Sequence, residues 1–226
     1  MTSDELKKLI ANGEIQSDSK VIKEGTLKNS SGESSSYSIH HGWDIAASLD
    51  CDESWARSNL ELFGYIEQQN FDDEYLNKVL NSIQTEDHHW NWFKKSLGTT
   101  GDDYEWFYLY ADSKPQAACL IFHPKNSALC DSNIFYVEFL AVAPWNRSCL
   151  VRERDYFRIG STMLTAALKF AVNQLNLKPG FSLHSLPQAS AYYEKLKMVN
   201  VENRNKENLL YFELLEDDAL RLLGAA

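Results

Sequence analysis

The order of secondary structure between residues 134 and 184 constrains the fold of this chain more than any other feature. Ile134–Val142 follows the two-residue period of a strand, and Gly160–Leu175 carries its apolar residues on one side, as an amphipathic helix does. Phe181–His184 then forms a second short strand pattern after a Lys-Pro-Gly break. A strand, a helix and a strand in this order predict a strand–helix–strand unit within a mixed α/β layer structure.

Helices are predicted before this unit and strands on both sides of it. The spacing of apolar residues favours helices between Asp52 and Gln84, broken and capped at residues 70–73, and a third helix over Asp87–Ser96. The other predicted elements are strands at Glu105–Ala111, Ala117–Phe122, Val199–Val201 and Leu209–Leu214, a helix at Gln188–Leu196, and a weakly helical tail from Asp217.

The first 40 residues are predicted to be peripheral. A short helix could run from Asp4 to Ala11, with Ser3 as its cap. The polar stretch at residues 29–38 is too poor in apolar side chains to bury a core, so we expect either a mobile linker or an extended segment laid on the main domain. The predicted division is therefore a partly flexible extension at 1–40 and one domain at 41–226, with helices at 52–96, a core at 104–200 and closing strands at 199–214.

Charge and cysteine usage exclude several classes of partner. The chain has 22 Lys and Arg against 32 Asp and Glu, a formal net charge of −10, which disfavours nucleic acid and anionic membrane as partners. No signal peptide and no run of 18 apolar residues is recognisable, so a cytoplasmic location is expected. The four cysteines (Cys51, Cys119, Cys130 and Cys149) lack CxxC spacing, so no metal is expected.

The loop between the strand at 134–142 and the following helix gathers arginines in an otherwise acidic protein. Arg147, Arg152, Arg154 and Arg158 precede Gly160, which opens the helix. A helix start offers unpaired backbone N–H groups and partial positive charge, and glycine lets a ligand approach closely. A phosphate or diphosphate site is one interpretation, and an ordinary connection with solvated arginines is the other.

These residues resemble the GCN5-related N-acetyltransferase (GNAT) family over roughly Tyr104–Leu214. Phe139-Leu-Ala-Val, Ala143-Pro-Trp-Asn-Arg and Tyr156-Phe-Arg-Ile-Gly-Ser-Thr-Met-Leu are similar to its strand four, pyrophosphate loop and third helix, in the version of a bacterial subgroup. The resemblance implies a mostly antiparallel sheet flanked by helices and splayed between strands four and five. It also implies acetyl-coenzyme A as co-substrate, bound by Leu140, Ala141, Val142, Arg154, Arg158, Ile159, Gly160 and Ser161. The family's first loop glycine is replaced by Arg158, and Asp155 stands where Gln or Arg is common.

A second match is Ala189-x-x-x-Tyr193-x-Lys195-Leu-Lys197, which resembles the family's A-x-x-x-Y-x-K-L-G segment. The family's tyrosine protonates the thiolate of coenzyme A, which implies that Tyr193 is the general acid. A phenol has an ordinary pKa near ~10 and so carries its proton at neutral pH. Aromatic packing beside Tyr192 is the alternative role for Tyr193, and Lys197 replaces the family's glycine.

Glu138 is the side chain we expect to serve as general base, directly or through a water. By alternation it shares a strand face with Leu140 and Val142, while Phe139 and Ala141 point the other way. A half-exposed structural glutamate is the alternative. His184 and Ser185 are second candidates, although a histidine at a strand end is more often a hydrogen-bonded structural residue. His40-His41 and His88-His89 are predicted to be surface pairs.

The resemblance places the acceptor pocket among the helices before the sheet and the final strand pair. Those helices contain Trp55, Trp90 and Trp92 together with the acidic residues Glu61, Glu67, Asp72 and Asp73. A cationic small-molecule amine or a peptide amine suits such a surface, but a solvated acidic face is the simpler explanation. A GNAT-fold module that binds acyl-coenzyme A or a protein without turnover is the alternative function. The strand edges would also permit a homodimer.

Overall fold

The computed structural model of the chain describes residue 5, residues 8–10, 12–15 and 17–224. Its strands are β1 Lys20–Lys28, β2 Ser34–His41, β3 Tyr104–Ala111, β4 Lys114–Asn126, β5 Asn133–Val142, β6 Phe181–Ser185, β7 Val199–Asn200 and β8 Leu210–Leu214. Its helices between residues 45 and 222 are α1 Ile45–Gln68, α2 Asp73–Ser82, α3 Trp92–Gly98, α4 Ile159–Asn173, α5 Ser190–Lys195 and α6 Glu216–Leu222. Of the helix predicted at Asp4–Ala11, residues 5 and 8–10 are described and helical.

The eight strands form one sheet in the order β1-β2-β3-β4-β5-β6-β8-β7. The pairs β1–β2, β2–β3, β6–β8 and β7–β8 are antiparallel, whereas β5 and β6 are parallel. The fold is therefore a mixed α/β structure with a mostly antiparallel sheet and flanking helices, which confirms the predicted fold class. The chain divides into a first unit (residues 1–100, 106–118 and 142–157) and a second unit (residues 101–105, 119–141 and 158–226).

In the first unit, the helices begin where side chains cap them. The Asp44 carboxylate accepts a hydrogen bond from the Ala47 N–H at 2.9 Å, and the Asp72 carboxylate accepts one from the Tyr75 N–H at 2.7 Å. These bonds satisfy donors that a helix start leaves unpaired. The first helix thus begins seven residues before the predicted start at Asp52.

The predicted third helix starts later than expected. Residues 86–89 form turns, the Trp90 N–H donates to the Asp87 carbonyl, and α3 begins only at Trp92. The cause is local: the Asn91 side chain accepts from the Lys94 N–H at 2.7 Å and fixes the start there. The apolar residues that favour the two predicted helices between Asp52 and Gln84 also include exposed ones. Leu60 is 73% and Leu80 42% exposed, whereas Leu62, Ile66 and Val79 form a buried cluster.

The N-terminal segment contradicts the expectation of a mobile linker. Residues 34–38 of the polar stretch belong to β2, which pairs with both β1 and β3. Only Tyr37 and Ile39 are buried there, so a polar strand needs few apolar residues when its backbone is paired on both sides. The structure agrees better with the alternative expectation, an extended segment laid on the main domain. The boundary at residue 40 falls inside β2, and the domain division itself stays a prediction.

The second unit contains the predicted strand–helix–strand unit, in which α4 connects the parallel strands β5 and β6. Its helix buries Met163, Leu164, Ala167, Leu168 and Ala171 on one side, as the periodicity predicts. Within the part of the chain that the structure describes, no helix combines the length and apolar character needed to cross a bilayer. All four cysteines are free, with Cys51 and Cys119 buried and Cys130 exposed.

Candidate functional site

The pairing between the two parallel strands of the second unit ends before either strand does. Paired positions of β5 and β6 are Phe135 with Phe181, Tyr136 with Ser182 and Val137 with Leu183. Among the described residues the pairing stops there, although both strands continue, β5 to Val142 and β6 to Ser185. Backbone groups of β5 beyond Val137 therefore face a region where β6 no longer pairs with them. The resemblance predicts a splay between these strands, and their pairing ends in the region where the splay is predicted.

Burial along β5 follows the alternation of its side chains only in part. Phe135, Val137 and Ala141 are buried and Tyr136, Glu138 and Leu140 are partly exposed, but Ile134 is buried and Phe139 is partly exposed. Glu138 therefore lies on the face predicted for it, together with Leu140. Val142 is also partly exposed, but it belongs to the first unit.

The helix that follows begins without a side-chain cap. The Arg158 carbonyl accepts the first intrahelical hydrogen bond, from the Thr162 N–H at 2.9 Å, and no acidic residue lies in the first turn. The backbone N–H groups of Ile159, Gly160 and Ser161 precede that bond, so the helix itself does not satisfy them. Because α4 runs back between two parallel strands, its start lies at the edge where β5 and β6 end. That edge is where open α/β sheets usually bind ligands.

Arg158 adopts the left-handed conformation that favours glycine. Its φ is 61°, and its side chain is exposed. A left-handed backbone at a residue with a Cβ costs about 1–2 kcal/mol. Residue 158 therefore adopts a backbone that a glycine would take without this cost, with an arginine in that position.

Lys197, which replaces the second family glycine, also has a left-handed backbone, with φ 62°. The reason is the end of α5, where the Lys197 N–H donates to the Glu194 carbonyl and the Met198 N–H donates to the Tyr193 carbonyl. This pair of bonds is the Schellman motif, whose residue after the helix is usually glycine.

Tyr193 is buried, with 7% of its surface exposed, and packs on Phe212 with ring centroids 6.1 Å apart. Burial raises the pKa of its phenol well above the ordinary value, and the nearby Tyr192 and Cys119 add to that effect. The phenol consequently stays protonated throughout the neutral range. Aromatic packing and a proton-donor role are both compatible with this position.

Tyr192, which the sequence did not single out, has its hydroxyl at the start of α4. Its oxygen lies 2.9 Å from the Ser161 Oγ, and burial raises its pKa. The only signal in the sequence was the doubled tyrosine itself. Ser161 and Tyr192 are thus brought together, while Tyr193 faces the core.

His184 is held by both ring nitrogens. Its Nε2 lies 2.9 Å from the Arg204 carbonyl, which can only accept, so Nε2 carries the proton and Nδ1 accepts from the Tyr136 hydroxyl at 2.6 Å. Burial lowers the pKa of the imidazole, and the lysines Lys125 and Lys206 lower it further. His184 was expected to be either a second candidate base or a hydrogen-bonded structural residue. These contacts agree with the structural role. Ser185 is buried and donates to the Leu186 carbonyl at 2.8 Å.

The four arginines of the loop do not form one phosphate cluster. Arg147 binds the Asp87 carboxylate with both terminal nitrogens, at 2.6 and 2.7 Å, and Arg152 donates to the Pro144 carbonyl at 2.6 Å. Burial lowers the pKa of the Arg152 guanidinium. Arg154 is partly exposed in the first unit and Arg158 is exposed in the second. The interpretation of a shared arginine site is therefore wrong for Arg147 and Arg152.

The helical acids lie where the simpler explanation, a solvated acidic face, predicts them. Glu61, Glu67, Asp72 and Asp73 are exposed, while Trp55 and Trp92 are buried. His40 and His41 are partly buried within β2, so only His88 and His89 match the predicted surface pairs. Within the described ranges, no group of three or more His, Cys, Asp or Glu residues could hold a metal ion.

Comparison with known proteins gives fold-level likenesses. No protein-family model matches the sequence, and no curated protein matches it. The structure is similar to that of PaiA N-acetyltransferase from Thermoplasma acidophilum in complex with coenzyme A, with 14% identity over 77% of this chain and 97% of the other and a TM-score of 0.45.

Two further solved structures are similar to a comparable degree. FdhC, a nucleotide-linked sugar GNAT in its apo form, is 9% identical over 89% of this chain and 93% of its own, with a TM-score of 0.49. FeeM, an N-acyl amino acid synthase from uncultured soil microbes, is 10% identical over 83% and 94%, with a TM-score of 0.46. Identities and TM-scores this low do not assign an activity or a substrate to this chain.

Proposed function

We propose that this protein is an acetyl-coenzyme A-dependent N-acyltransferase of the GNAT type, which moves an acetyl group directly to an amine. Two features of the second unit together carry the proposal. The pairing of β5 with β6 ends at Val137, and α4 begins without a side-chain cap. An extended pantetheine chain suits the edge of a strand where its neighbour no longer pairs with it, and a diphosphate suits the N–H groups that a helix start leaves without an intrahelical partner.

The residues of this edge fit the co-substrate. Leu140 and Ala141 would offer backbone groups beyond the last paired position of β5, and Ile159, Gly160 and Ser161 would offer N–H groups to phosphate oxygens. Arg158, exposed beside them, would add positive charge at the phosphates. Val142 and Arg154 lie in the first unit, and they remain predicted ligands of the co-substrate. Acetyl-coenzyme A supplies a thioester carbonyl and a thiolate leaving group.

Two side chains of the second unit are proposed to move protons. An acceptor ammonium must lose a proton before its nitrogen attacks the carbonyl, and Glu138 or a water beside it would take that proton. The new N–C bond forms as the C–S bond breaks, and the proton that the nitrogen then loses would replace the one that Tyr193 gives up. Tyr193 would give its phenol proton to the departing sulfur, and its raised pKa keeps that proton available at neutral pH. His184 is not proposed as base, because the Tyr136 hydroxyl already occupies its accepting nitrogen.

The acceptor is proposed to be a small-molecule or peptide amine. The net charge of −10 and the exposed acidic residues of α1 and α2 favour an amine that carries positive charge. A panel of amines of different charge tests this choice. Reaction with uncharged or anionic acceptors alone would contradict it.

Isothermal titration with acetyl-coenzyme A tests the proposal. The native protein should bind at micromolar concentration, and Gly160→Glu should abolish binding because a carboxylate at the helix start repels the diphosphate. Gly64→Glu is the matched control, since a side chain at Gly64 meets nothing within 4 Å. Absence of binding at millimolar co-substrate would refute the proposal. Binding without transfer to any amine would favour the alternative, a GNAT-fold acyl-coenzyme A-binding or protein-interaction module.

A further inference from the structure

A side-chain bridge joins β5 and β6 on one face of the second unit's sheet. The Tyr136 hydroxyl of β5 lies 2.6 Å from the Nδ1 of His184 on β6, and both residues are partly exposed. The backbone partner of Tyr136 is Ser182, so the phenol reaches two residues further along β6 than its own pairing position. The bridge therefore lies just beyond Val137 and Leu183, the last positions at which the two strands pair.

The same reach brings the Tyr136 hydroxyl toward Glu138. Side chains two residues apart on a strand share a face, so Tyr136 and Glu138 project on the same side of β5. The register that ends with Val137 opposite Leu183 sets Glu138 opposite His184 when it is continued by one residue. The charge of Glu138 agrees with this placement, because burial and then that charge raise the pKa of the Tyr136 phenol.

His184 fixes the direction of the Tyr136 proton. The His184 Nε2 donates to the Arg204 carbonyl at 2.9 Å, so Nδ1 carries a lone pair and takes the single proton of the Tyr136 hydroxyl. Any further hydrogen bond of that hydroxyl is therefore one that its oxygen accepts. The ionised Glu138 carboxylate also only accepts. Two acceptors on one strand face suit a ligand atom that carries more than one N–H, as an amine nitrogen does.

This arrangement needs a neutral imidazole. Burial, and then the lysine charges, lower the pKa of His184 and keep the ring neutral at neutral pH. A protonated ring would donate from both nitrogens, and the Tyr136 hydroxyl would then turn its own proton away from His184. The titratable and charged residues around the ring are Lys125 of β4, Tyr136 and Glu138 of β5, Arg204 and Lys206 of the segment before β8, and Tyr211 of β8.

We infer that Tyr136 binds the acceptor nitrogen beside Glu138, with His184 as the positioning residue that keeps the tyrosine oxygen a hydrogen-bond acceptor. The inference rests on the proposed transfer, in which Glu138 or a water beside it takes a proton from the amine. Tyr136 accepts one N–H of the amine while another proton leaves toward Glu138, so the nitrogen is held as it becomes a nucleophile.

Steady-state kinetics of Tyr136→Phe test this contact, with Tyr211→Phe as the matched control. The Tyr211 ring also packs on His184, at 5.1 Å between centroids, but its hydroxyl donates to Glu213. The acceptor is whichever of spermidine, benzylamine and Nα-acetyllysine amide the native protein acetylates fastest. Tyr136→Phe should raise KM for this amine about five- to tenfold and leave kcat and the acetyl-coenzyme A affinity within about twofold. Tyr211→Phe should change none of the three.

Two variants of His184 separate orientation from packing. His184→Leu removes the group that takes the Tyr136 proton and should raise KM for the amine as much as Tyr136→Phe does. His184→Asn should restore most of that loss, because its amide oxygen accepts the proton and is not protonated near neutral pH. Between about pH 8 and about pH 5, KM should rise more for the native protein than for His184→Asn. The titration of the amine is common to both proteins and cancels in the ratio of their KM values.

The outcomes distinguish this inference from the proposed function. An equal KM for Tyr136→Phe and the native protein, a loss of thermal stability alone, or a KM ratio of the native and His184→Asn proteins that does not change with pH would overturn the inference and leave the transfer intact. A native protein that acetylates no amine would refute the transfer and the inference with it. Thermal unfolding shows whether each variant is folded, and if His184→Leu does not fold, Tyr136→Phe and the pH series decide.

Discussion

Replacement of Arg147 by methionine should destabilise the first unit strongly, because this arginine anchors several segments at once. Its guanidinium donates to the Val142 carbonyl at 2.7 Å, to the Gln84 carbonyl at 2.8 Å and to both carboxylate oxygens of Asp87. The Asp87 side chain is only 6% exposed and that of Arg147 only 14%. Arg147→Met would leave a buried carboxylate without its partner, which costs about 3–5 kcal/mol.

Urea unfolding followed by tryptophan fluorescence and circular dichroism measures this cost. Arg221→Met is the matched control, since the Arg221 guanidinium is 56% exposed in its ion pair with Asp218 and an exposed pair contributes about 0–1 kcal/mol. A loss of less than about 1 kcal/mol for Arg147→Met would refute the reasoning. The Arg147→Met variant also distinguishes two roles of this arginine. If Arg147 is structural, the folded variant keeps the acetyl-coenzyme A affinity of the native protein. If Arg147 binds phosphate, the affinity falls.

Tyr193→Phe should lower turnover by about 10²–10⁴-fold and keep acetyl-coenzyme A affinity, as steady-state kinetics and calorimetry would show, whereas Tyr192→Phe should change turnover far less. Lys197→Gly should raise the free energy of unfolding by up to about 1 kcal/mol in urea titration, because glycine relieves the left-handed backbone, and Lys197→Ala should not. The pKa of His184 is lowered in the folded protein, so its contribution to stability is present above pH ~6.5 and is lost as pH falls below that value. Urea midpoints across that range should show a weaker pH dependence for His184→Asn than for the native protein. Ellman's reagent should modify the exposed Cys130 quickly and the two buried cysteines only after denaturation.

The sequence predicted most of the second unit because its elements carry strong local patterns. The β5, α4 and β6 segments have clear periods of two and 3.6 residues, and their bounds differ from the predicted ones by at most two residues. The β1–β2 hairpin was not predicted, because its polar amino-acid composition resembles that of a linker. Its stability comes from pairing with β3, a contact remote in sequence.

Within the site, backbone features were more predictable than side-chain partners. The uncapped start of α4 and the strand alternation around Glu138 follow from local spacing. The partner of Arg147 lies 60 residues away in the chain, and the Tyr136–His184 bond joins residues 48 apart. Spacing along a sequence carries no signal for such pairs, which is why the arginine cluster was misjudged.

Hydrogen–deuterium exchange with and without acetyl-coenzyme A tests the proposed co-substrate site most directly. We expect slower exchange in peptides covering residues 138–142 and 159–162, where β5 beyond its pairing with β6 and the uncapped helix start would bind the co-substrate. Peptides from the β1–β2 hairpin at residues 20–41 should be unchanged. Protection confined to other segments, or no protection at saturating co-substrate, would contradict the central claim.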